Sequence, residues 1–224
     1  MKRRVVVTGL GLVTPIGNNV ADFWRSLTAG HSGIGPITHF DASAYDARIA
    51  GEVRNFNPEE FMPKKEAKHT EKFVHYAMAA SQEAVADAGF DLAKLDLERC
   101  GVLVGSGIGS LHIIEEQHKV LLERGPSKLT PFLIPMLIVN EASGHVSMKF
   151  GFKGPNSCVA TACATGNHAI GDAARIIAYG DLSAATDPDM TLQLKFGDDG
   201  FVNGAPRGAN EERLEARAAG RRMT

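Results

Sequence analysis

An α/β fold is predicted by three features of this 224-residue chain. Val5–Thr8, entered from Arg4 and left at Gly9, is β-branched and uncharged, as a central strand covered on both faces should be. Cys100–Gly105 reads as a second buried strand running into a glycine-rich turn. Between and after these runs, apolar residues recur at helical spacing: Phe73, Tyr76, Ala77, Ala80, Ala84 and Val85, then Ala169, Ile170, Ala173, Ala174 and Ile177. The last group follows a short apolar run and Cys163, so Cys163 is placed at a strand-to-helix turn, at the start of a buried helix.

Taken in order, Gly9-Leu10-Gly11 after the first strand invites a dinucleotide reading. The GxGxxG pattern then needs glycine at position 14, where Thr14-Pro15 stands, and Pro15 disfavours helical backbone at Thr14. A tight glycine turn that permits close packing is the better reading. Asn19 is suited to cap a helix through Ala21, Phe23, Trp24 and Leu27 that ends at Gly30, with Trp24 assigned to the core. His31–Asn57 reads as an ordered loop with one strand near Arg48–Val53.

Phe61 to about Ala88 is expected to be one long helix, stopped by Gly89. Lys64, Lys65, Lys68 and Lys72 gather at its start, a pattern whose usual meaning is a solvated basic face. Ser106-Gly107-Ile108-Gly109-Ser110 resembles a phosphate cradle but lacks the Lys-Ser/Thr of a P-loop, and by itself Ile108 reads as core. Leu111–Leu122 is amphipathic and helical, Pro126–Pro135 is an interrupted apolar segment, and Asn140–Phe150 carries the small residues of a closely packed helix.

Composition excludes several classes. The apolar share of 44% and charged share of 22% belong to an ordinary globular protein, and a net charge of -2 offers nothing to nucleic acid. Apolar runs are shorter than the roughly 20 residues of a membrane span. Met1-Lys2-Arg3-Arg4 before Val5 imitates a signal start, yet Gly9, Gly11 and Pro15 interrupt it at once, so a first strand and a cytoplasmic protein are expected. Cys100, Cys158 and Cys163 make no disulfide framework and no zinc spacing.

Cys163 is the candidate nucleophile. At the head of a helix, free amides and the positive dipole end favour thiolate over thiol, and the same amides are placed to stabilise an oxyanion. His168 is a poor partner, because five helical residues turn it about 500°, roughly 140° off the face of Cys163. His145 can be placed only in three dimensions.

Ala162-Cys163-Ala164-Thr165-Gly166 after Gly154-Pro155-Asn156 resembles the nucleophile signature of the β-ketoacyl-[acyl carrier protein] synthases, condensing enzymes of the thiolase superfamily. Arg4–Gly17, Gly105–Gly109 and Pro131–Met136 extend the resemblance in the same order to about Asp181, and the elongating type II subgroup is the most similar. The resemblance implies a thiolase-like layered fold, of which residues 1–181 form the N-terminal half. It implies acyl transfer to Cys163 and decarboxylative condensation with malonyl-carrier protein in fatty acid biosynthesis, without metal or nucleotide. By the same resemblance Ile108 lines the acyl pocket, Lys65 and Lys68 dock the acidic acyl carrier protein, and Phe132 lies near the twofold interface of a homodimer. No membrane or nucleic-acid partner is implied.

The resemblance ends where the second half of the family begins. That half supplies two histidines and a lysine for decarboxylation, whereas this chain has no histidine after His168. Residues 182–224 read as a divergent tail, with a short helix at Ala209–Ala219 and a loose Arg221–Thr224 end. The expectation is therefore a synthase by descent that loads Cys163 but lacks the groups for condensation. Its rival is a non-catalytic homologue acting as a binding or assembly partner, and an NAD-binding domain ranks last.

Overall fold

The computed structural model describes residues 4–179, 190–195 and 201–206. In chain order the elements are β1 (Val7–Gly11), α1 (Val20–Thr28), β2 (Ile34–Pro36), β3 (Ile49–Gly51), α2 (Lys64–Ala67), α3 (Lys72–Ala88), β4 (Gly101–Gly105), α4 (Leu111–Arg124), α5 (Leu133–Leu137), α6 (Glu141–Phe150), β5 (Asn156–Val159), α7 (Thr165–Tyr179), β6 (Met190–Lys195) and β7 (Phe201–Pro206). Five strands form one sheet in the order β1-β6-β7-β4-β5, with β1 parallel to β6 and β4 parallel to β5. β7 runs antiparallel to both of its neighbours. β2 and β3 form a separate antiparallel pair.

β4 shows why this is a layered α/β structure. Val102 and Val104 point to one face and meet Val74, Ala77 and Met78 of α3 and Ala142 and Val146 of α6. Leu103, one residue out of phase, meets Ala169, Ala173 and Ile177 of α7 on the other face. Each fully buried valine contributes roughly 2 kcal/mol of apolar transfer, so a strand apolar at every position is stable only between two helical layers.

The first strand differs from expectation. It begins at Val7 rather than Val5 and stands at one end of the sheet among the described strands, with Val7 and Leu10 exposed. Gly9 and Gly11 lie within it and not in a turn, but close packing is indeed their use. A Cβ on Gly9 would fall against the Ala84 carbonyl and one on Gly11 against the Ala80 carbonyl, both of α3. α3 also supplies acceptors for the chain along this edge: Leu10 N donates to Asp87 Oδ2 and Leu12 N to Glu83 Oε2, each at 3.0 Å.

Asn19 caps α1 as expected, accepting from Asp22 N at 2.8 Å, and Gly30 follows the helix at φ 70°. Trp24, however, is not core: it is 63% exposed, and α1 buries none of its residues. The expected strand near Arg48–Val53 is β3.

The single long helix expected from Phe61 is broken into α2 and α3. Thr70 Oγ1 donates to Glu66 O at 3.0 Å and His75 Nε2 lies 3.1 Å from Ala67 O, so two side chains occupy carbonyls that a continuing helix would need. Glu71 is extended and starts α3 in a new direction, aimed through the core. α7 is likewise not buried all round: Ala169, Ala173 and Ile177 line its inner face, while Asn167, His168, Gly171 and Arg175 are exposed.

After Asp181, two segments enter the sheet as β6 and β7, between β1 and β4. The rest of 182–224 lies outside the described residues, including the expected helix Ala209–Ala219 and the Arg221–Thr224 end. No helix among the described residues is long and apolar enough to cross a membrane.

Two stability predictions follow from this packing. Gly11→Ala should cost about 3 kcal/mol, since backbone blocks the added methyl, and urea unfolding reads it as a lowered midpoint. Glu52 is buried and accepts from the Thr38 hydroxyl at 2.7 Å and from the Thr38 and His39 amides. The Thr38 hydroxyl first, then the Thr38 amide, hold its carboxyl at about 2 against an ordinary 4.5. Its stabilisation is complete above pH 4.5 and is lost as pH falls toward about 2; Glu52→Gln should flatten acid unfolding across that window.

Candidate active site

β4 and β5 are parallel, so the segments leaving them emerge together at their carboxyl ends, where open α/β sheets place ligands. Ser106 N donates to Val159 O at 3.0 Å, which joins the start of one segment to the end of the neighbouring strand. Gly107 faces Ala162, with 3.9 Å between its Cβ position and the Ala162 Cα. The Ser106–Ser110 turn and the Cys163 turn are thus one site.

After Val159 the chain passes through Ala160 and Thr161 into a single 3-10 turn, Ala162–Ala164, and then α7. Ala162 has φ 49°, a left-handed conformation that disfavours a residue bearing Cβ. The neighbours impose it. Thr165 Oγ1, buried at the head of α7, accepts from Thr161 N at 2.8 Å, and Ala164 N donates to Thr161 O at 3.1 Å. The turn ejects Cys163, which is exposed.

Of the amides expected around the sulfur, those of Ala164 and Thr165 are engaged in closing the turn, the latter on Ala162 O. The Cys163 amide has no hydrogen-bond partner among the described residues, which leaves one free donor of the kind an oxyanion needs beside the thiol. Cys158 is half-buried, and Cys100 is fully buried. Burial pushes the Cys100 thiol up to about 12, with Asp96 adding to the shift, so Cys100 is inert.

Ile108 is 58% exposed on the Ser106–Ser110 turn, which removes the core reading. Gly109, at φ 78°, packs its backbone against the Leu137 carbonyl of α5 and fixes the turn from the far side. Ser110 caps α4 and donates to Glu71 Oε2 at 2.8 Å, tying the turn to the head of α3. Lys65 and Lys68 are exposed on and just after α2, one short segment before Glu71. Phe132 is 38% exposed and stacks on His69 at 3.9 Å between ring centroids.

The structure brings neither histidine to the thiol. His168 lies exposed on α7, its ring without a hydrogen bond among the described residues. His145 is buried on α6, its Nδ1 2.7 Å from Glu66 Oε1 and its Nε2 3.0 Å from Glu141 Oε1. Sequence reasoning missed both this clamp and the part played by Thr165. Glu141 and His145 are i, i+4 neighbours and thus legible, but Glu66 lies 79 positions away and nothing local points to it. Among the described residues no group of three or more His, Cys, Asp or Glu side chains is arranged to hold a metal ion.

Thiol alkylation should report this arrangement. Near pH about 8, iodoacetamide should modify Cys163 ahead of Cys158 and leave Cys100 unmodified until the protein is denatured, as read by intact mass over time.

Residues 2–186 match the family described as "Beta-ketoacyl synthase, N-terminal domain". Over 179 residues the chain is 51% identical to 3-oxoacyl-[acyl-carrier-protein] synthase 2 of Synechocystis sp., covering 80% of this chain and 43% of that protein. The protein of the same name from Vibrio cholerae is 48% identical over 183 residues, 82% of this chain and 44% of its own. The chain therefore spans less than half the length of these relatives. Among solved structures, the ishigamide ketosynthase/chain length factor superposes with a TM-score of 0.78 at 25% identity, covering 99% of this chain and 61% of that one. A β-ketoacyl synthase from Burkholderia phymatum superposes with a TM-score of 0.72 at 22% identity, covering 99% of this chain and 62% of that one. With the cysteine on its forced turn between two parallel strand ends and a family match over most of its length, the chain belongs to the β-ketoacyl synthases and carries their N-terminal domain.

Proposed function

We propose that this chain supplies the acyl-loading half of a 3-oxoacyl-[acyl carrier protein] synthase of fatty acid biosynthesis, with Cys163 as the nucleophile. One observation carries the reading: an exposed thiol on a left-handed turn, with its own amide unengaged among the described residues, at the head of a 15-residue helix.

In loading, the thiolate attacks the carbonyl carbon of the acyl thioester on the carrier's thiol. The tetrahedral oxyanion points to the Cys163 amide, then collapses, breaking the donor C–S bond; the carrier thiolate leaves and takes up a proton. Ile108, on the Ser106–Ser110 turn, lines the path of the acyl chain. Lys65 and Lys68 receive the acidic carrier protein, setting encounter and register more than affinity. Lys64 is paired with Glu59 at 3.0 Å, whereas Lys65 and Lys68 have no ion-pair partner among the described residues, which supports their selection. A carrier partner is further supported by the names of the relatives and by a solved complex of a type II polyketide ketosynthase with its acyl-carrier protein, of the same fold at 20% identity. A homodimer with Phe132 near its twofold and a cytoplasmic location belong to the same reading.

Condensation is a different matter. Decarboxylating malonyl-carrier protein requires groups that stabilise the resulting enolate. The His145 ring is occupied by two carboxylates, and the His168 ring makes no hydrogen bond among the described residues. Loading is the step that this chain's own residues supply.

Intact-mass spectrometry tests this directly. Incubation with acyl-carrier protein should add one acyl group, absent from Cys163→Ala, and the adduct should persist when malonyl-carrier protein follows. A 3-oxoacyl product would overturn the restriction to loading. No adduct, with carrier binding retained, would favour a non-catalytic binding or assembly partner.

A further inference from the structure

α2 is one turn, with the sequence Lys64-Lys65-Glu66-Ala67 followed by Lys68. Its N-cap, Pro63, makes no side-chain hydrogen bond, and a helix of four residues has no stability of its own. Its orientation is set by tertiary contacts, and Glu66 makes a central one. The only carboxylate within this run of lysines, half-exposed, is held 2.7 Å from His145 Nδ1, while Glu141 meets the opposite ring nitrogen at 3.0 Å. The His145 ring therefore stands between the two carboxylates and ties α2 to α6.

We infer that His145 is a positioning residue for carrier docking, acting through Glu66 on the lysine face of α2. By binding the Glu66 carboxylate, it keeps that charge from pairing with Lys65 and Lys68 at the surface. Without it, Glu66 turns outward, away from Glu141, and sets a negative charge among the lysines that meet an acidic partner. His145 touches neither the thiol nor the acyl group, so its influence falls on capture of the carrier and not on the chemistry at Cys163. The inference rests on the carrier-docking reading of Lys65 and Lys68 and is tested separately from it.

The test measures the rate of Cys163 acylation, by intact mass, with two donors: acyl-carrier protein over a range of concentrations, and the same acyl group on free pantetheine. His145→Gln should raise the half-saturating carrier concentration about tenfold, with the maximal rate and loading from pantetheine unchanged. Adding Glu66→Gln to His145→Gln should restore carrier capture, because no carboxylate is left to fall on the lysines. If the single variant fails to fold, the double variant, free of the uncompensated carboxylate, still decides the matter: near-normal capture supports the inference and a tenfold loss overturns it. Equal slowing with both donors, or no rescue by Glu66→Gln, would mean a merely structural histidine and overturn it. Lys65→Ala/Lys68→Ala is the reference. If that variant weakens capture and His145→Gln does not, the inference alone fails; if it leaves capture unchanged, the docking reading fails and the inference with it.

Discussion

The alternation of Val102, Leu103 and Val104 along β4 organises the molecule. Two of these side chains are buried against α3 and α6, the third against α7, so the strand demands helices on both of its faces. Parallel pairing with β5 then follows the same register, Val104 opposite Cys158 and Gly105 opposite Val159. Because both strands point the same way, the glycine turn after one and the cysteine turn after the other open at a common edge. The position of the thiol is thus a consequence of core packing on the neighbouring strand β4, and the helix that receives it, α7, is the one that Leu103 holds in place.

The cysteine turn stores strain that its surroundings stabilise. A left-handed alanine costs about 1 kcal/mol or more, and it persists because Thr165, anchored at the buried head of α7, accepts from Thr161. Gly105 and Gly107 leave room on the facing side: a Cβ at Gly105 would meet Thr165, and Gly107 lies beside Ala162. Small residues around the nucleophile are therefore a steric requirement of the turn. The basic face is arranged on another principle, charge separation. Lys64 is paired with Glu59, Glu66 is bound by His145, and Lys65 and Lys68 remain exposed.

Where local chemistry decides conformation, the sequence was legible. Asn19 ahead of Val20, Gly89 after α3, and Ser110 ahead of α4 each mark a helix end through a backbone requirement that does not depend on the rest of the chain. The buried strand at β4 and the strand-to-helix turn at Cys163 were equally plain. The readings that failed depended on what lies opposite. Trp24 has the composition of a core residue but no partner surface, β1 has the composition of a central strand but stands at an end of the described sheet, and Ile108 sits on a turn that no helix covers. The break at Lys68–Glu71 escaped notice because it is made by Thr70 and His75 taking carbonyls, not by glycine or proline.

By itself, then, the sequence determined the α/β class, most helix ends, the turn that carries Cys163 and the family, because these are written in periodicity, capping chemistry and a short motif around Cys163. The tertiary structure alone decided which amide beside the thiol is left unengaged, that β6 and β7 enter the sheet between β1 and β4, and that Glu66 meets His145 across 79 positions. Each of these depends on contacts between segments far apart in the chain. Burial is what brings such segments together, and no local pattern of residues records which partner a buried face will meet.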